Sequence, residues 1–205
     1  MDRKQIVVIT GGAGDIAQAI KVELTDEYEV LSPGKEELDV TDIESSEKYF
    51  SNHIPDILVN NAGYVLPMSI GESDIYSEKK AIDINLFGVF NCTAAALKRN
   101  RKAKIVNIGS SAATKVHGTW SSYCASKAGV VMATKCWADD GVDAVCISPG
   151  RTATKMRRGL FPEEDQCTLL TPEKFAKVVC MAIHGRYRSG EHINVTKDNI
   201  EEILR

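Results

Sequence analysis

Short runs of β-branched and apolar residues alternate along this chain with longer stretches whose apolar positions recur at helical spacing. Ile6-Val7-Val8-Ile9 has no polar interruption, as a strand covered on both faces of a parallel sheet requires. Ile57-Leu58-Val59, Ile105-Val106-Asn107-Ile108 and Val142 to Ile147 repeat the pattern. Tyr28 to Leu31, Leu38-Asp39-Val40 and His192 to Val195 repeat it more weakly. Helical periodicity fills 15–26, 42–52, 73–99, 121–138 and 172–184, with a short tail near 198–204. This alternation, joined by right-handed crossovers, predicts an α/β fold: one doubly wound parallel sheet flanked by helices. No linker or repeat divides residues 1–205, so a single domain is expected. Ser32 to Glu36 is too short for a helix, and a loop is expected to cover that face of the sheet. Arg151 to Thr171 is charged, aperiodic and long for a connection in a compact domain, which marks it as a lid over a binding site.

Composition narrows the function classes. The chain is 43% hydrophobic and 26% charged, with a net charge of −3 and a pI near 5.9. Such a net-acidic chain is poorly suited to nucleic acid or an anionic membrane. No apolar run approaches the roughly 20 residues of a membrane span. Met1-Asp2-Arg3-Lys4-Gln5 leads into too short an apolar run to read as a secretion signal. The six cysteines (Cys92, Cys124, Cys136, Cys146, Cys167, Cys180) form no C-x-x-C and no metal-ligand spacing with the four histidines. Most fall in predicted helices or strands, where cysteine acts as a small apolar filler. No metal is expected, and the expected compartment is the reducing cytoplasm.

Thr10-Gly11-Gly12-Ala13-Gly14-Asp15-Ile16-Ala17 follows the first strand and opens a helix. Gly11 permits the tight turn, Gly14 lets a pyrophosphate approach the backbone, and Ala17 lets the helix pack closely on the sheet. The helix N-terminus offers free N–H groups and the positive end of its dipole to phosphates. The turn predicts a Rossmann-type dinucleotide site built from Gly11, Gly12, Gly14, Asp15 and Ile16. Asp15 is the awkward member, because a carboxylate beside phosphates must turn away or cap the helix.

Downstream, Tyr123-Cys124-Ala125-Ser126-Lys127 sets a phenol and an ammonium on one helix face, four residues apart. A free phenol, with a pKa of about 10, transfers protons poorly at neutral pH; a nearby ammonium stabilises the phenolate. Gly109-Ser110-Ser111 ends a predicted strand, offering a hydroxyl at the carboxyl edge where such sheets bind ligands. These pieces fall in one order along the chain: the Thr10-Gly11 turn, Asp39-Val40, Asn60-Asn61-Ala62-Gly63, Asn85, Ser110, Tyr123-x-x-x-Lys127, and Pro149-Gly150-Arg151-Thr152-Ala153-Thr154. In that order and at those spacings the chain resembles the short-chain dehydrogenase/reductase family over nearly its whole length.

The resemblance implies an NAD(P)(H)-dependent oxidoreductase that moves hydride between a nicotinamide and a small-molecule carbonyl or alcohol. Tyr123 would be the general acid/base and Ser110 would share the charge on the same substrate oxygen. Lys127 would lower the tyrosine's pKa and bind the nicotinamide ribose, and Asn85 would hold a water leading from Lys127 to solvent. Asp39 and Val40 would flank the adenine; Asn61, Ala62 and Gly63 would line the adenosine ribose; Thr154 would hold the carboxamide. Residues 1–150 would carry cofactor and catalytic core, and 151–171 the substrate lid. Family members commonly form dimers or tetramers through the two central helices; Ala94, Ala95, Ala96, Val130 and Ala133 are compatible with such a homodimer or homotetramer and equally with burial against the sheet.

The glycine turn departs from the family's commoner T-G-x-x-x-G-x-G, with Asp15 and Ala17 at the last two glycine positions. Its spacing resembles that of longer sugar-nucleotide-modifying relatives, so an epimerase or dehydratase is one alternative, although little chain follows residue 150 for their substrate domain. A dinucleotide-binding regulator without turnover is another. Ser32 and Lys35 follow the second strand with no acid before Glu36, which favours NADP(H) over NAD(H). Lys155, Arg157 and Arg158 read either as attractors of an anionic substrate or as a solvated cluster. His117 belongs to the site's rim or to the surface, and Trp120 reads as packing or an oligomer contact.

Overall fold

The computed structural model describes residues 3–205; Met1 and Asp2, part of the stretch examined for a secretion signal, lie outside the described residues. Strands β1 (Ile6–Ile9), β2 (Glu29–Leu31), β3 (Ile57–Asn60), β4 (Lys104–Ile108), β5 (Ala144–Pro149) and β6 (His192–Val195) pair in parallel throughout. Their order across the sheet is β2-β1-β3-β4-β5-β6. The helices are α1 (Asp15–Leu24), α2 (Ile43–Asn52), α3 (Ile75–Ile82), α4 (Gly88–Arg99), α5 (Ser121–Asp139), α6 (Lys155–Leu160), α7 (Pro172–Ile183) and α8 (Ile200–Ile203). Among the described residues, no helix is long and apolar enough to cross a membrane.

The unbroken apolar strands follow from this layering. Val7 and Ile9 pack on one side of the sheet with Ala17, Ile20 and Leu24 of α1 and Phe175, Val178 and Val179 of α7. Val8 turns to the other side with Leu58 and Ile105, against Phe50 of α2 and Cys92, Ala95 and Ala96 of α4. Neither face of β1 meets water, so an alternating pattern would leave polar groups unpaired in the core. Helix starts follow local chemistry: Asp42 accepts the Glu44 N–H at 2.8 Å to cap α2, and Thr171 accepts from Lys174 ahead of α7, with Pro172 in the first turn.

Two expectations are corrected, and a third, left open, is decided. Leu38-Asp39-Val40 forms a loop and not a strand. The link from β2 is too short for the crossover that a parallel neighbour needs. Leu38 and Val40 are apolar because they plug the gap under α4, where an added Cβ on Gly88 would meet Val40 Cγ2 at 2.7 Å. The helix expected over 73–99 is interrupted by a π-helical turn at Asp83–Phe87 between α3 and α4. Finally, Ala95, Ala96, Val130 and Ala133 are buried within the subunit, leaving only Ala94 of that set exposed. The outward side of these helices carries Phe87, Phe90 and Met132 instead.

The chain leaves β1 toward β2 but returns to pair β3 on the opposite edge, and this reversal opens a crevice at the carboxyl ends of the two strands. Thr10 Oγ1 accepts from both Asn61 N and Ala62 N at 3.0 Å, and Asn61 Nδ2 donates to Thr10 O at 2.9 Å. Gly11, with φ +68°, fits against Ala62, where a side chain would come within 2.9 Å of the Ala62 Cα. Gly12 is tighter still: an added Cβ would lie 2.0 Å from the Ser32 carbonyl oxygen. Backbone there has no room to yield, so Gly12→Ala is expected to cost at least about 1–3 kcal/mol. Gly71→Ala, with nothing within 4 Å of its added Cβ, serves as the control and is expected to stay within about 0.5 kcal/mol. Urea unfolding of both variants checks this, and equal stabilities would contradict the packing described.

Candidate active site

The crevice has a volume of about 730 Å³, within the range of cofactor sites. At its centre lie Gly11, Ala13, Gly14, Asp15 and Ile16. Gly14 caps α1 without any side chain bonded over the helix end, so the first-turn N–H groups of α1 sit at the crevice wall. That open turn suits a pyrophosphate. Gly12, expected in the same turn, and Ser32, expected with Lys35 at a ribose phosphate, do not line the crevice: the Gly12 N–H is spent on the Pro33 carbonyl at 2.9 Å, and Ser32 packs against Gly12. The Asp15 carboxylate turns away from the glycines. It accepts from the Lys155 backbone N–H at the start of α6 and lies 3.8 Å from the Lys155 ammonium and 4.0 Å from the Arg158 guanidinium. The acid that looked misplaced beside a phosphate turn is therefore a clasp on the segment opposite.

One end of the crevice is walled by Lys35, Leu38, Asp39, Val40 and Thr41. Lys35 is highly exposed and lies 3.6 Å from the Asp39 carboxylate. Burial works to raise the Asp39 pKa, but hydrogen bonds from the Thr41 N–H and hydroxyl, with Lys35 beside them, hold it below the ordinary carboxylate range. Asn61, Ala62 and Gly63 follow along the floor.

At the other end, β4 delivers Ser110 and α5 delivers Tyr123 and Lys127 to one spot. Lys127 is buried to 4% exposure, and its Nζ donates to the Ile108 carbonyl at 2.8 Å. It lies 5.9 Å from the centre of the Tyr123 ring. Burial pushes the Lys127 ammonium down to about 8. The Tyr123 phenol is raised by burial, and the hydrogen bond with Ser110 only partly offsets this. Burial thus sets the direction for both groups, and the raised Tyr123 pKa carries no contribution from Lys127.

Asn85 lies inside the π-helical turn and is completely buried. Its Oδ1 accepts from Tyr64 N at 2.9 Å and its Nδ2 donates to Tyr64 O at 2.6 Å. The extra residue in that turn rotates the amide inward, where it clamps the loop after Gly63. An added Cβ on Gly63 would meet Asn85 Oδ1 at 3.3 Å and Lys127 Nζ at 4.0 Å. Asn85 and Lys127 therefore both border Gly63, where an added side chain would be tight only against the amide oxygen.

Thr154 lines the crevice and caps α6, accepting from Arg157 N at 3.2 Å. The 151–171 segment is not structureless: it contains α6 and a short 3-10 turn at Gln166–Thr168. Residues that the sequence reading missed also wall the crevice, among them Tyr76, Lys80 and Asp83 on or beside α3. Tyr76 and Lys80 are four apart, so the helical periodicity that located α3 held a usable signal. What it lacked was any sign of which face of α3 meets the crevice.

A family model described as short chain dehydrogenase matches residues 36–165. The matched stretch begins after the glycine turn, the part that departs from the commoner pattern. The 3-oxoacyl-(acyl-carrier-protein) reductase of Thermotoga maritima is 31% identical, over 89% of this chain and 84% of that protein. A benzil reductase of Bacillus cereus is 26% identical, over 84% of this chain and 91% of its own. Among solved structures, that of ElxO with NADP bound superposes with a TM-score of 0.83 at 26% identity, covering 94% of this chain and 97% of that one.

The Lys127 shift provides a test by pH. Its folded pKa of about 8 lies below the ordinary 10.5, so between those values the unfolded chain holds a proton that the folded chain lacks. Stability owed to this group therefore rises with pH through that window. The unfolding free energy of the wild type minus that of Lys127→Met should increase by on the order of 2 kcal/mol between about pH 7 and about pH 10. Urea titrations at the two pH values measure it; a flat or falling difference would mean that the ammonium is not desolvated.

Proposed function

This chain belongs to the short-chain dehydrogenase family, and from that premise we propose that it is an NADP(H)-dependent oxidoreductase acting on a small-molecule carbonyl or its alcohol, with Tyr123 as general acid/base. The observation that carries the reading is that Tyr123 and Lys127 wall the same crevice as an open, glycine-lined helix N-terminus, while the buried Ser110 lies within hydrogen-bond reach of the Tyr123 phenol. Both relatives named above are reductases. The residues facing the crevice suit a dinucleotide: Gly11, Gly14, Asp15 and Ile16 through their backbone for the pyrophosphate, Asp39 and Val40 for the adenine, Asn61 to Gly63 for the ribose, and Thr154 for the carboxamide. Bound there, the nicotinamide would supply or accept hydride.

The chain's own groups handle the proton. With its pKa raised by burial, Tyr123 keeps its proton at neutral pH and can give it to a carbonyl oxygen as negative charge develops there. Ser110 shares that charge through a second hydrogen bond. Lys127 is a buried cation without a counterion; the phenolate left by proton transfer becomes that counterion. A fixed cation in a low-dielectric site favours the charged product of the transfer more than the neutral start. Asn85 acts by clamping Tyr64 and so setting the wall beside Lys127.

Preference for NADP(H) rests on Lys35, which faces the crevice with a mobile, exposed ammonium able to leave Asp39 for a ribose phosphate. The exposed Phe87, Phe90 and Met132 make that face the contact for a homodimer or homotetramer.

Tyr123→Phe is expected to lower kcat by roughly 10²–10⁴-fold while NADPH affinity, read by fluorescence titration, stays within a few-fold. Retained turnover would remove the tyrosine from the chemistry. Lys35→Ala should weaken NADPH by about tenfold and leave NADH nearly unchanged; equal losses would refute the assigned preference.

A further inference from the structure

The lid carries four basic side chains, Arg151, Lys155, Arg157 and Arg158, and each already faces an acid. Arg157 Nη2 donates to Glu164 Oε1 at 2.7 Å, and Arg151 Nη1 donates to the same oxygen at 3.1 Å. Arg157's hydrogen bond, together with both guanidinium charges, holds the Glu164 carboxyl below its ordinary range. Lys155 and Arg158 flank Asp15, as described above. A segment that reads from sequence either as an attractor of anions or as a solvated cluster therefore has its four basic side chains shared between two carboxylates.

What stands beside Tyr123 is aromatic. The Trp120 ring meets the Tyr123 ring edge-on, with centroids 5.5 Å apart, and Phe161 of the lid stacks on Trp120 at 6.2 Å and 25°. His117 lies 5.4 Å from Trp120, and the Arg157 guanidinium sits 4.6 Å from the Phe161 ring centre. Met156 of the same lid lines the crevice next to Tyr123. Phe161 remains 37% exposed, and Trp120 is only half-buried, so this wall is not used up in packing. Thr119, which precedes Trp120, has φ +66°, a costly left-handed conformation for a β-branched residue. Its carbonyl accepts from Met68 N at 2.7 Å, which ties the apolar Val65-Leu66-Pro67-Met68 loop to the same wall. The strained residue is the one that aims Trp120.

We propose that Trp120 and Phe161 are the specificity-determining wall of the site and that the substrate is a planar aryl ketone or aldehyde. The inference rests on the reading of Tyr123 as the acid. An aryl ring laid against Trp120 gains an aromatic contact beyond its buried area, and its attached carbonyl then reaches the adjoining phenol. The carbonyl carbon receives the hydride of NADPH and the oxygen receives the Tyr123 proton, giving the alcohol and NADP+; the phenolate regains a proton from solvent.

The test compares acetophenone with cyclohexyl methyl ketone, which has the same number of carbons but no π face. With wild-type protein and NADPH, kcat/KM should favour acetophenone by roughly three- to tenfold. Trp120→Ala should bring that ratio to about one, and Trp120→Phe should keep most of it. Phe161→Ala, at a more exposed position, should move the ratio the same way and serves if Trp120→Ala does not fold. Calorimetric binding of each ketone to the NADP+-loaded protein gives a second readout, with the same order of preference expected. Turnover of both ketones at equal efficiency overturns the wall and leaves the proposed function standing. A binding preference that disappears in Trp120→Ala, with no turnover of either ketone, keeps the wall and overturns the proposed function. Neither binding nor turnover overturns both.

Discussion

The hydroxyl of Thr10 holds the crevice in shape. By accepting from two successive backbone N–H groups, those of Asn61 and Ala62, it joins the ends of β1 and β3 where the chain changes direction across the sheet. Without that junction the glycine turn and the Asn61-Ala62-Gly63 floor would be two independent loops. With it, Gly11 and Ala62 approach so closely that neither segment can move alone. The glycine turn, the Asn61-Ala62-Gly63 floor and, through Gly63, the Asn85–Lys127 pair all adjoin this one seam.

Everything chemical about the site depends on how poorly its ionisable groups are solvated. Lys127 meets a carbonyl where an exposed lysine would meet water, and Tyr123 meets a serine hydroxyl and a tryptophan edge. Folding pays for this desolvation elsewhere, in the two apolar layers that sandwich the sheet. The resting pair is then biased toward neutral phenol and strained ammonium, a bias relieved when negative charge forms between them. A surface Tyr–Lys pair with the same spacing would have no such bias, because water would screen it.

The lid obeys a related economy of charge. Asp15 comes from the cofactor turn, yet it binds the lid's first N–H and flanks two of its basic side chains. One carboxylate thus removes itself from the phosphates and fixes α6 over the crevice. Glu164 does the same for Arg151 and Arg157. With both acids so used, the groups left beside the Tyr123 ring are aromatic: Trp120, and Phe161 stacked on it.

The amino-acid order alone determined the strand runs, the glycine turn, the helices that bury Ala17 and Phe175, and the Tyr123–Lys127 spacing, because these are local consequences of periodicity and residue geometry. It misread Leu38–Val40 as a strand because burial under α4 and burial in a sheet select the same apolar residues. It placed Gly12 and Ser32 at the phosphates, whereas they spend their contacts on each other. Only the tertiary structure decided that Asp15 clasps the lid, that Lys127 and Tyr123 are both desolvated, and that Trp120 stands against Tyr123. Each of those depends on which distant segment arrives beside a side chain, and pairing between residues far apart in the chain leaves no trace in local spacing.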